Sequence, residues 1–591
     1  MFLGAASNAQ AKTLYLDPGV WNIDGAKFAI YYFNASQNGW SDYMSSAGNG
    51  IYQATVPDSY SQVIFCRMNP NGSKDWNGKW NQTEDQTIPS DKNQFNIEDW
   101  TGCDGKSCGT WSVYGSSVNP GGGDTPGGND PVTPSDYDKA VPDQCEDVML
   151  QAFYWKSNIN SGYGDTKWET LSNLASEIGN YFDLVWLPPS AQASGISQGG
   201  LGYIPLIYSN QACLMGKSAA LKGLISALHD NGVRVIADIV INHIGNESNN
   251  CDGLKTHDFG SYGSYSPTKD WLTRDDEGGC GSNGNYDDGQ HTDKNFGSAR
   301  DWDHKNTNVQ AMCRAYLKWM RAEMKYDGWR YDMVGGYHAG HINDYNTASK
   351  PYFSVIEYWL GDANVLKQRI DDAGKNTLAF DFAAKYDVFR DGIFNKNYDK
   401  CKNGGMRGKG YSKYAVTFID NHDTFNRGSD NEDVANKRDG SSINDQSLMM
   451  RCHVYLLSMP GVPCVFYPHW VKYKSDIQKM ITARKKAGIH SESSVEETSG
   501  SGWYRATVYG KHGNVKLMLG SAASDAQPTG YTLVVKGSDY AMYYVQTNQA
   551  IENVEVMPLD VTQPMFTVMG QQVDASYRGI VIQNGHKYLL Q

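Results

Sequence analysis

The sequence lacks several features that would assign it to common functional classes. Acidic residues outnumber basic ones, 65 against 52, and the net charge is −13. The chain therefore lacks the positive charge that nucleic acids and anionic membranes require. After its first residues it has no run of roughly 18 apolar residues that could cross a bilayer. Cys-x-x-Cys pairs and His-Glu-x-x-His, both typical of zinc sites, are missing as well, so no nucleic-acid partner, membrane span or zinc site is expected.

Nucleotide-binding motifs are also missing. No Gly-x-Gly-x-x-Gly follows the first predicted strand, as an open dinucleotide-binding fold would require. The stretch "GGMRGKG" at 404–410 lacks the Ser or Thr that a phosphate loop places after its Lys, and we interpret it as an ordinary loop.

Aromatic residues and cysteines, by contrast, are abundant. The 16 Trp and 38 Tyr suit flat, hydroxyl-rich ligands such as sugars, although core packing accounts for most of them. Of eleven cysteines, Cys103 with Cys108 and Cys251 with Cys280 bracket short Gly-rich loops where disulfides are expected, with the connectivity left open. Residues 1–11 combine a short apolar stretch with a small-x-small site, which predicts the remnant of a secretory signal peptide.

A chain of this length is too long to fold around a single hydrophobic core, so several domains are expected. Residues 114–138 are dominated by Gly, Pro and Asp and predict a flexible linker. Before it, residues 12–113 show short strand-like runs separated by turn signals, the pattern of a small β-sandwich. There Trp40, Trp76 and Trp80 lie in Asn- and Gly-rich surroundings and are candidates for sugar contact or for core packing. The unit resembles starch-binding modules.

Strand-like and helix-like segments alternate through residues 139–490. Eight apolar runs fit strands, at 147–155, 182–189, 233–243, 328–334, 352–359, 378–382, 415–423 and 462–470. Such alternation implies parallel strands, and without a dinucleotide motif it predicts a closed (β/α)8 TIM barrel. Residues 244–305 predict a small inserted domain, domain B, after the third strand. Antiparallel strands at 491–547 predict a separate β-domain, domain C.

Four of these predicted strands end in polar residues. In a parallel barrel the active site lies at the carboxyl ends of the strands. Strand by strand the polar residues are Asp238, Asn242 and His243; Arg330 and Asp332; Glu357; and Asp420, His422 and Asp423. Because side chains alternate along a strand, Arg330 and Asp332 are expected on one side, as are Asp420 and His422. A single such residue is most often a helix cap or an ion pair, but four such ends predict one shared site.

Three of the carboxylates suggest cleavage of a glycosidic bond. In a retaining reaction one carboxylate attacks the anomeric carbon while another protonates the departing oxygen. Asp332 suits the nucleophile, because Arg330 beside it is expected to lower its pKa. Glu357 lies among aromatic residues, where burial favours the protonated acid. Asp423 can stabilise the cationic transition state.

The stretches "DIVINH", "GWRYDMV", "VIEYW" and "FIDNHD", in this order, resemble the four signature regions of the α-amylase family, glycoside hydrolase family thirteen. The resemblance covers about residues 145–547. It implies an endo-acting enzyme that hydrolyses α-1,4 bonds of starch, amylose, amylopectin and maltooligosaccharides with retention. It implies Asp332 as nucleophile, Glu357 as general acid/base and Asp423 as transition-state stabiliser. It also implies four substrate-binding residues, which are Tyr203, His243, Arg330 and His422.

The same resemblance implies a structural Ca²⁺ between the barrel and the inserted domain. Calcium takes six to eight hard oxygen ligands, and Asn242, Asp301 and the carbonyl of Gly336 match family ligands, with Asp293 as a fourth. The alternative is that the aspartates belong to a solvated loop. One departure from the family is that residues 333–336 read Met-Val-Gly-Gly, without the Lys or Arg that many relatives place before Gly336. Sugar binding on the reducing side is therefore left open.

Residues 548–591 resemble the sorting domains read by a type IX secretion system of Gram-negative bacteria, or they form a terminal β-hairpin extension. We therefore expect a secreted or cell-surface protein of a Gram-negative bacterium that acts as a monomer. Two other functions are considered: a transglycosylating or maltogenic enzyme of the same family, and a non-catalytic starch-binding protein. The latter should lack at least one of the three carboxylates, and this chain retains all three.

Overall fold

The structure is a computed structural model. It describes residues 11–22, 24–48, 51–89, 92–103, 106–112, 132, 135–159, 162–193, 201–245, 253–273, 299–425 and 441–546. Nearer the C-terminus it describes residues 563–567, 571–574, 577, 579–583 and 586–590.

Eight parallel strands close into a barrel, which confirms the predicted fold. In chain order the barrel strands are Met149–Gln151, Leu184–Leu187, Arg234–Ile239, Gly328–Tyr331, Phe353–Ile356, Leu378–Phe380, Ala415–Phe418 and Val462–Phe466. Each strand pairs with the next, and the first pairs with the eighth. Every strand is shorter than its apolar run, so most of the polar groups predicted at strand ends lie just beyond the regular pairing.

Helical segments connect the barrel strands. The α-helices are Trp168–Asn173, Ala175–Gly179, Ser218–Asp230, Thr307–Trp319, Gly340–Ser349, Ala363–Asp372, Ser441–Asn444, Gln446–Ser458, Tyr467–Lys472 and Lys474–Ala487, with π-helices at Met320–Met324 and Ala384–Phe394. In Ser218–Asp230 the buried side chains are Leu221, Leu224, Ile225, Leu228 and His229. The apolar members have the three- and four-residue spacing of an amphipathic helix.

The barrel has two apolar layers. One lies between the strands and the surrounding helices and includes Val185, Ile239 and Leu224. The other fills the barrel interior and includes Trp186, Phe353 and other large side chains. Since the interior is packed, the open space for a ligand is at a barrel end, as is general for this fold.

The insertion after the third strand contributes short two-stranded pairings. His243–Ile244 pairs with Arg300–Asp301, and His257–Asp258 pairs with Ser264–Tyr265. The first pairing ties the end of the third barrel strand to the segment that returns to the barrel.

Residues 11–112 form two sheets with a shared apolar core. One sheet has the strand order Lys106–Ser112, Gln94–Cys103, Ala11–Asp17, Ile51–Pro57 and Ser45–Gly48. The other has Asn38–Trp40, Lys27–Phe33, Gln62–Met68 and Lys79–Gln82, with Gln86–Thr87 also paired to Gln62–Met68. Leu16, Trp21 and Phe65 are fully buried in the core of this unit.

Two further sheets follow the barrel. The first has the order Ser494–Gly500, Trp503–Tyr509, Gly513–Gly520, Tyr540–Gln546 and Thr532–Lys536. It shares the apolar cluster of the barrel helices through residues such as Val508 and Leu517. The second comprises Gln572–Val573, Met565–Thr567, Gly579–Gln583 and His586–Leu590. No helix in the described part of the chain is both long and apolar enough to span a membrane.

Seven cysteines in the described residues are free thiols: Cys66, Cys145, Cys213, Cys313, Cys401, Cys452 and Cys464. The four cysteines expected in disulfides lie outside the described side chains, so those bonds stay predictions.

Candidate active site

Neighbouring barrel strands end beside one another and so bring together the side chains of Asp238, Asp332 and Glu357. Asp238 lies in the third strand opposite Arg330 of the fourth, and Arg330 lies opposite Val355 of the fifth. Asp332 and Glu357 each directly follow a strand, at Tyr331 and Ile356. All of these side chains are therefore carried to the same end of the barrel.

Arg330 is the shared cation of this cluster and is almost fully buried. Its Nη1 lies 2.8 Å from Asp238 Oδ1 and 2.6 Å from Asp332 Oδ1. Its Nη2 forms an ion pair with Glu357 Oε1 at 2.8 Å. The guanidinium also lies 5.1 Å from the ring centre of Trp186. One positive charge is thus shared among three buried carboxyl groups, and Arg330 donates hydrogen bonds to two of them, Asp238 and Asp332.

Asp423 approaches the same cluster from the loop after the seventh strand. Its Oδ2 lies 3.2 Å from His422 Nε2, and the His422 ring stacks on Tyr203 of the site. Its charge also raises the pKa values of both Asp332 and Glu357. The loop is held by Asn421, whose Oδ1 accepts hydrogen bonds from the backbone amides of Asp423 and Thr424 at 3.0 and 2.9 Å. The predicted convergence of Asp332, Glu357 and Asp423 on one end of the barrel is therefore what the structure has.

Burial sets the protonation of the cluster. Removal from water raises the pKa of Glu357 to about 8, that of Asp332 to about 7 and that of Asp238 to about 6, while Arg330 opposes each increase. Arg330 lowers the pKa of Asp332, as expected, but burial and the neighbouring carboxylates Asp238 and Asp423 outweigh it, so the net shift is upward.

Tyr203 lines the site beside these carboxylates. Its hydroxyl donates a hydrogen bond to Asp238 Oδ2 at 2.7 Å. Its ring stacks on His422, with 5.1 Å between ring centres and an interplanar angle of 5°, and Trp155 lies 5.9 Å from it. The half-buried ring provides the kind of flat apolar surface on which a sugar ring can stack.

His422 is oriented by a residue of the first barrel strand. The side-chain amide of Gln151 lies 3.0 Å from Nδ1 of His422, and Nε2 lies 3.2 Å from Asp423 Oδ2. If the Gln151 amide donates to Nδ1, the ring proton is on Nε2 and faces Asp423. The sequence does not single out Gln151, since its role depends on how the barrel brings strands one and seven together. Asp238 is visible as a polar residue in an apolar run, but the resemblance gives it no role.

His243, a predicted substrate-binding residue, makes contacts within the protein through both ring nitrogens. Its Nε2 donates to the carbonyl oxygen of Tyr203 at 2.8 Å, and its Nδ1 lies 3.3 Å from the Asn242 side-chain amide. Burial lowers its pKa to about 4, so the ring is neutral at pH 7. Both ring nitrogens are engaged within the protein, and the residue links Tyr203 to Asn242.

Asp420 does not share the surroundings of His422, so the expectation that they lie on one side is wrong. Its carboxylate pairs with Lys385 Nζ at 3.3 Å and with His469 Nε2 at 3.2 Å. Burial raises its pKa, but these cations outweigh burial and the net shift is downward. The strand ends at Phe418, so strict alternation of side chains no longer applies at positions 420 and 422.

The predicted calcium ligands lie partly together. Asn242 Oδ1 is buried and accepts no hydrogen bond from the described residues. A Cβ atom at Gly336 would lie 1.9 Å from that oxygen, so a side chain at position 336 would displace the Asn242 side chain. Asp301 Oδ1 lies 3.3 Å from the Asn242 amide nitrogen. Asp293 lies outside the described residues, within which no cluster of three or more His, Cys, Asp or Glu forms a metal site. The buried Asn242 Oδ1, with Asp301 and Gly336 beside it, is compatible with an oxygen-ligated ion.

The three candidate tryptophans of the N-terminal unit do not all lie together. Trp40 and Trp76 lie 4.9 Å apart and both contact Tyr31, at 5.2 and 4.7 Å. Trp80 instead lies against the guanidinium of Arg67, 4.7 Å from its ring centre. Trp76 and Trp80 are 42% and 40% exposed, so both remain accessible to a ligand.

Comparisons with known proteins identify the chemistry of the barrel. Residues 182–373 match the family described as the alpha-amylase catalytic domain. Probable alpha-amylase 2 of Arabidopsis thaliana is 28% identical, over 69% of this chain and 96% of that protein. The chloroplastic Alpha-amylase 3 of the same plant is 28% identical, over 67% of this chain but only 44% of its own length. A glucan 1,4-alpha-maltotetraohydrolase of Stutzerimonas stutzeri is 27% identical, over 64% of this chain and 68% of that protein.

Solved structures share the fold. An alpha-amylase of Geobacillus thermoleovorans, crystallised with acarbose, superposes with a TM-score of 0.50 at 15% identity, over 68% of this chain and 99% of that one. An Anoxybacillus alpha-amylase gives a TM-score of 0.50 at 14% identity, over 69% of this chain and 99% of that one. Residues 182–373 are thus similar to alpha-amylase catalytic domains, and the chain is a glycoside hydrolase.

Proposed function

We propose that this glycoside hydrolase is an endo-acting α-amylase, which hydrolyses internal α-1,4 bonds of starch and related glucans with retention. The observation that carries the proposal is the set of carboxylates around Arg330 at the carboxyl end of the barrel. Retaining enzymes need their two carboxyl groups about 5–5.5 Å apart, and contact of Asp332 and Glu357 with one guanidinium is compatible with such a separation.

In the first step Asp332 attacks the anomeric carbon and forms a covalent glycosyl-enzyme intermediate. Glu357 donates its proton to the departing glycosidic oxygen as that bond breaks. Burial raises the pKa of Glu357 to about 8, which supports its role as the acid, since the acid has to hold its proton near neutral pH. Arg330 stabilises the ionised Asp332.

In the second step a water molecule attacks the anomeric carbon and releases Asp332. Glu357, now ionised, accepts the proton of that water and returns to its starting state. Two inversions at one carbon give net retention. Asp423 stabilises the positive charge that develops on the sugar ring, and His422 holds Asp423 in place at 3.2 Å. Tyr203 supports the sugar on the non-reducing side of the cleaved bond.

Retention and endo action are tested on soluble starch. We expect a rapid loss of iodine staining with mixed short maltooligosaccharides, and proton NMR should show the new reducing ends first as the α-anomer. Asp332→Asn should abolish turnover, while Lys367→Gln, at a half-buried helix position outside the site, should not. Maltotetraose as the single early product would favour an exo-acting enzyme, and longer chains would indicate transglycosylation. An active Asp332→Asn variant would contradict the assigned nucleophile.

We further propose a structural Ca²⁺ held by Asn242, Asp301 and the backbone carbonyl of Gly336, with Asp293 as a predicted fourth ligand. The buried, unpartnered Asn242 Oδ1 supports this proposal, because a buried polar oxygen without a partner is costly. The ion would supply positive charge that joins the end of the third strand to the Arg300–Asp301 strand. A chelator should lower the melting temperature, and added Ca²⁺ should restore it. Asn242→Leu should melt at one temperature with or without chelator, and an unchanged wild-type melting temperature would argue against the ion.

The N-terminal unit is proposed to bind starch through Trp40 and Trp76, which with Tyr31 form an aromatic surface. Aromatic faces suit the apolar faces of glucose units. Export of the protein and the sorting role of residues 548–591 stay predictions.

A further inference from the structure

Met333, which directly follows Asp332, has an unusual backbone conformation. Its φ and ψ angles are 52° and 45°, in the left-handed region that non-glycine residues seldom adopt. Its side chain is only half-buried, so packing of the thioether does not account for this conformation. Strained backbone of this kind persists where the surrounding structure fixes it, commonly at functional sites.

The left-handed conformation directs two successive amides toward Glu357. The N–H of Met333 donates to Glu357 Oε2 at 3.0 Å, and the N–H of Val334 donates to the Glu357 carbonyl oxygen at 3.0 Å. Successive amides around a left-handed residue form concave sites that favour negative charge. Oε1 lies within ion-pair distance of Arg330, at 2.8 Å, but accepts no hydrogen bond from the described residues. The Met333 amide therefore supplies a hydrogen bond that restricts rotation of the carboxyl plane.

We propose that residue 333 is a positioning residue, which acts through its left-handed backbone and not through its side chain to hold the Glu357 carboxyl group in the orientation for proton transfer. The proposal rests on the role of Glu357 as acid/base. The groups that face Glu357 are Arg330, Asp332 and Asp423. The Met333 amide adds a hydrogen bond that lowers the pKa of Glu357 against the effect of burial, and so favours the ionised form that the second step requires.

A series of substitutions separates backbone conformation from side-chain size. Glycine and asparagine tolerate the left-handed region, alanine tolerates it less, and β-branched valine least. We expect kcat on starch to fall in the order Gly and Asn, Ala, Val, with Met333→Val reduced by at least about tenfold. Where the amide is displaced, the alkaline limb of the pH profile of kcat/KM should move to higher pH, which a purely structural defect would not cause.

The outcomes distinguish this inference from the proposed function. If activity followed side-chain volume, with Met333→Val nearest to wild type and Met333→Gly lowest, the inference would be overturned. If Met333→Val does not fold, by circular dichroism, the comparison of Asn with Ala decides in the same way, since Asn should retain more activity. Glu357→Gln tests the underlying role: it should lose starch hydrolysis but keep attack on a nitrophenyl maltooligosaccharide, whose leaving group needs no acid. Full starch activity in that variant would refute the acid/base assignment itself, whatever the results at residue 333.

Discussion

Replacing Glu357 by glutamine should make the protein more stable, by an amount that grows with pH. Burial raises the pKa of Glu357 from 4.5 to about 8. The folded protein therefore keeps this proton through neutral pH, while the unfolded chain loses it near pH 4.5. A raised folded-state pKa contributes stability that is fully present below the unfolded pKa and is lost as the pH rises towards the folded value. Glutamine does not titrate, so the variant escapes this loss.

The size of the effect follows from proton linkage. Between pH 5 and pH 7 the unfolded chain has largely lost the proton that the folded protein retains, and each pH unit then costs about 1.4 kcal/mol. Over that interval the wild type should lose about 2–3 kcal/mol of unfolding free energy relative to Glu357→Gln. This is a large share of the about 5–15 kcal/mol that stabilises a typical protein.

Urea unfolding of both proteins, followed by tryptophan fluorescence at pH 5, 6 and 7, measures this difference. Glu497→Gln is the matched control. Burial opposes ionisation of Glu497, but hydrogen bonds from Arg407 and Tyr504 outweigh it and lower its pKa. Its contribution is lost only below about pH 4.5, the ordinary value, so its substitution should cost the same at pH 5 and at pH 7. An equal difference between wild type and Glu357→Gln at both pH values would refute a proton held in the buried site.

Three further outcomes are expected. Arg330→Met leaves buried carboxylates without their cation and should lower the unfolding free energy at pH 7 by about 3–5 kcal/mol in urea unfolding; a loss under about 1 kcal/mol would contradict the shared-cation arrangement. Lys385→Met should destabilise by a similar amount, and adding Asp420→Asn should recover over half of it in a double-mutant cycle, whereas additive losses would show that the two residues are not coupled. Trp76→Ala should weaken starch affinity in gel electrophoresis by about tenfold and Trp80→Ala by less, because only Trp76 belongs to the aromatic surface; equal losses would place both rings at the sugar.

The barrel could be predicted from sequence because its signals are local. Each strand is a short apolar run and each long helix an apolar stripe, so their alternation is visible without knowing which strands pair. Arg330 and Asp332 could be placed together for the same reason, since they are two residues apart along one strand end. Four polar strand ends then predicted a shared site from the topology alone.

The features that sequence reasoning misplaced depend on three-dimensional surroundings. The alternation that joined Asp420 to His422 ends with the strand at Phe418, and a boundary of that kind is not visible in a continuous apolar run. The net pKa shift of Asp332 depends on how deeply it is buried and on how many carboxylates share Arg330. The contact of Gln151 with His422 exists only after the barrel has closed. The charge around a buried carboxyl group and the contacts made when the barrel closes depend on the whole folded chain. Short residue patterns in the sequence do not contain this information.

Pairing of the first barrel strand with the eighth has a consequence for biosynthesis. Met149 lies opposite Cys464, and more than half of the polypeptide separates them. A ribosome adding about 5–20 residues per second needs roughly 15–60 s to pass from one to the other. Throughout that interval the nascent first strand presents unpaired backbone groups to other chains, so the period before the ring can close is when this polypeptide most needs a chaperone.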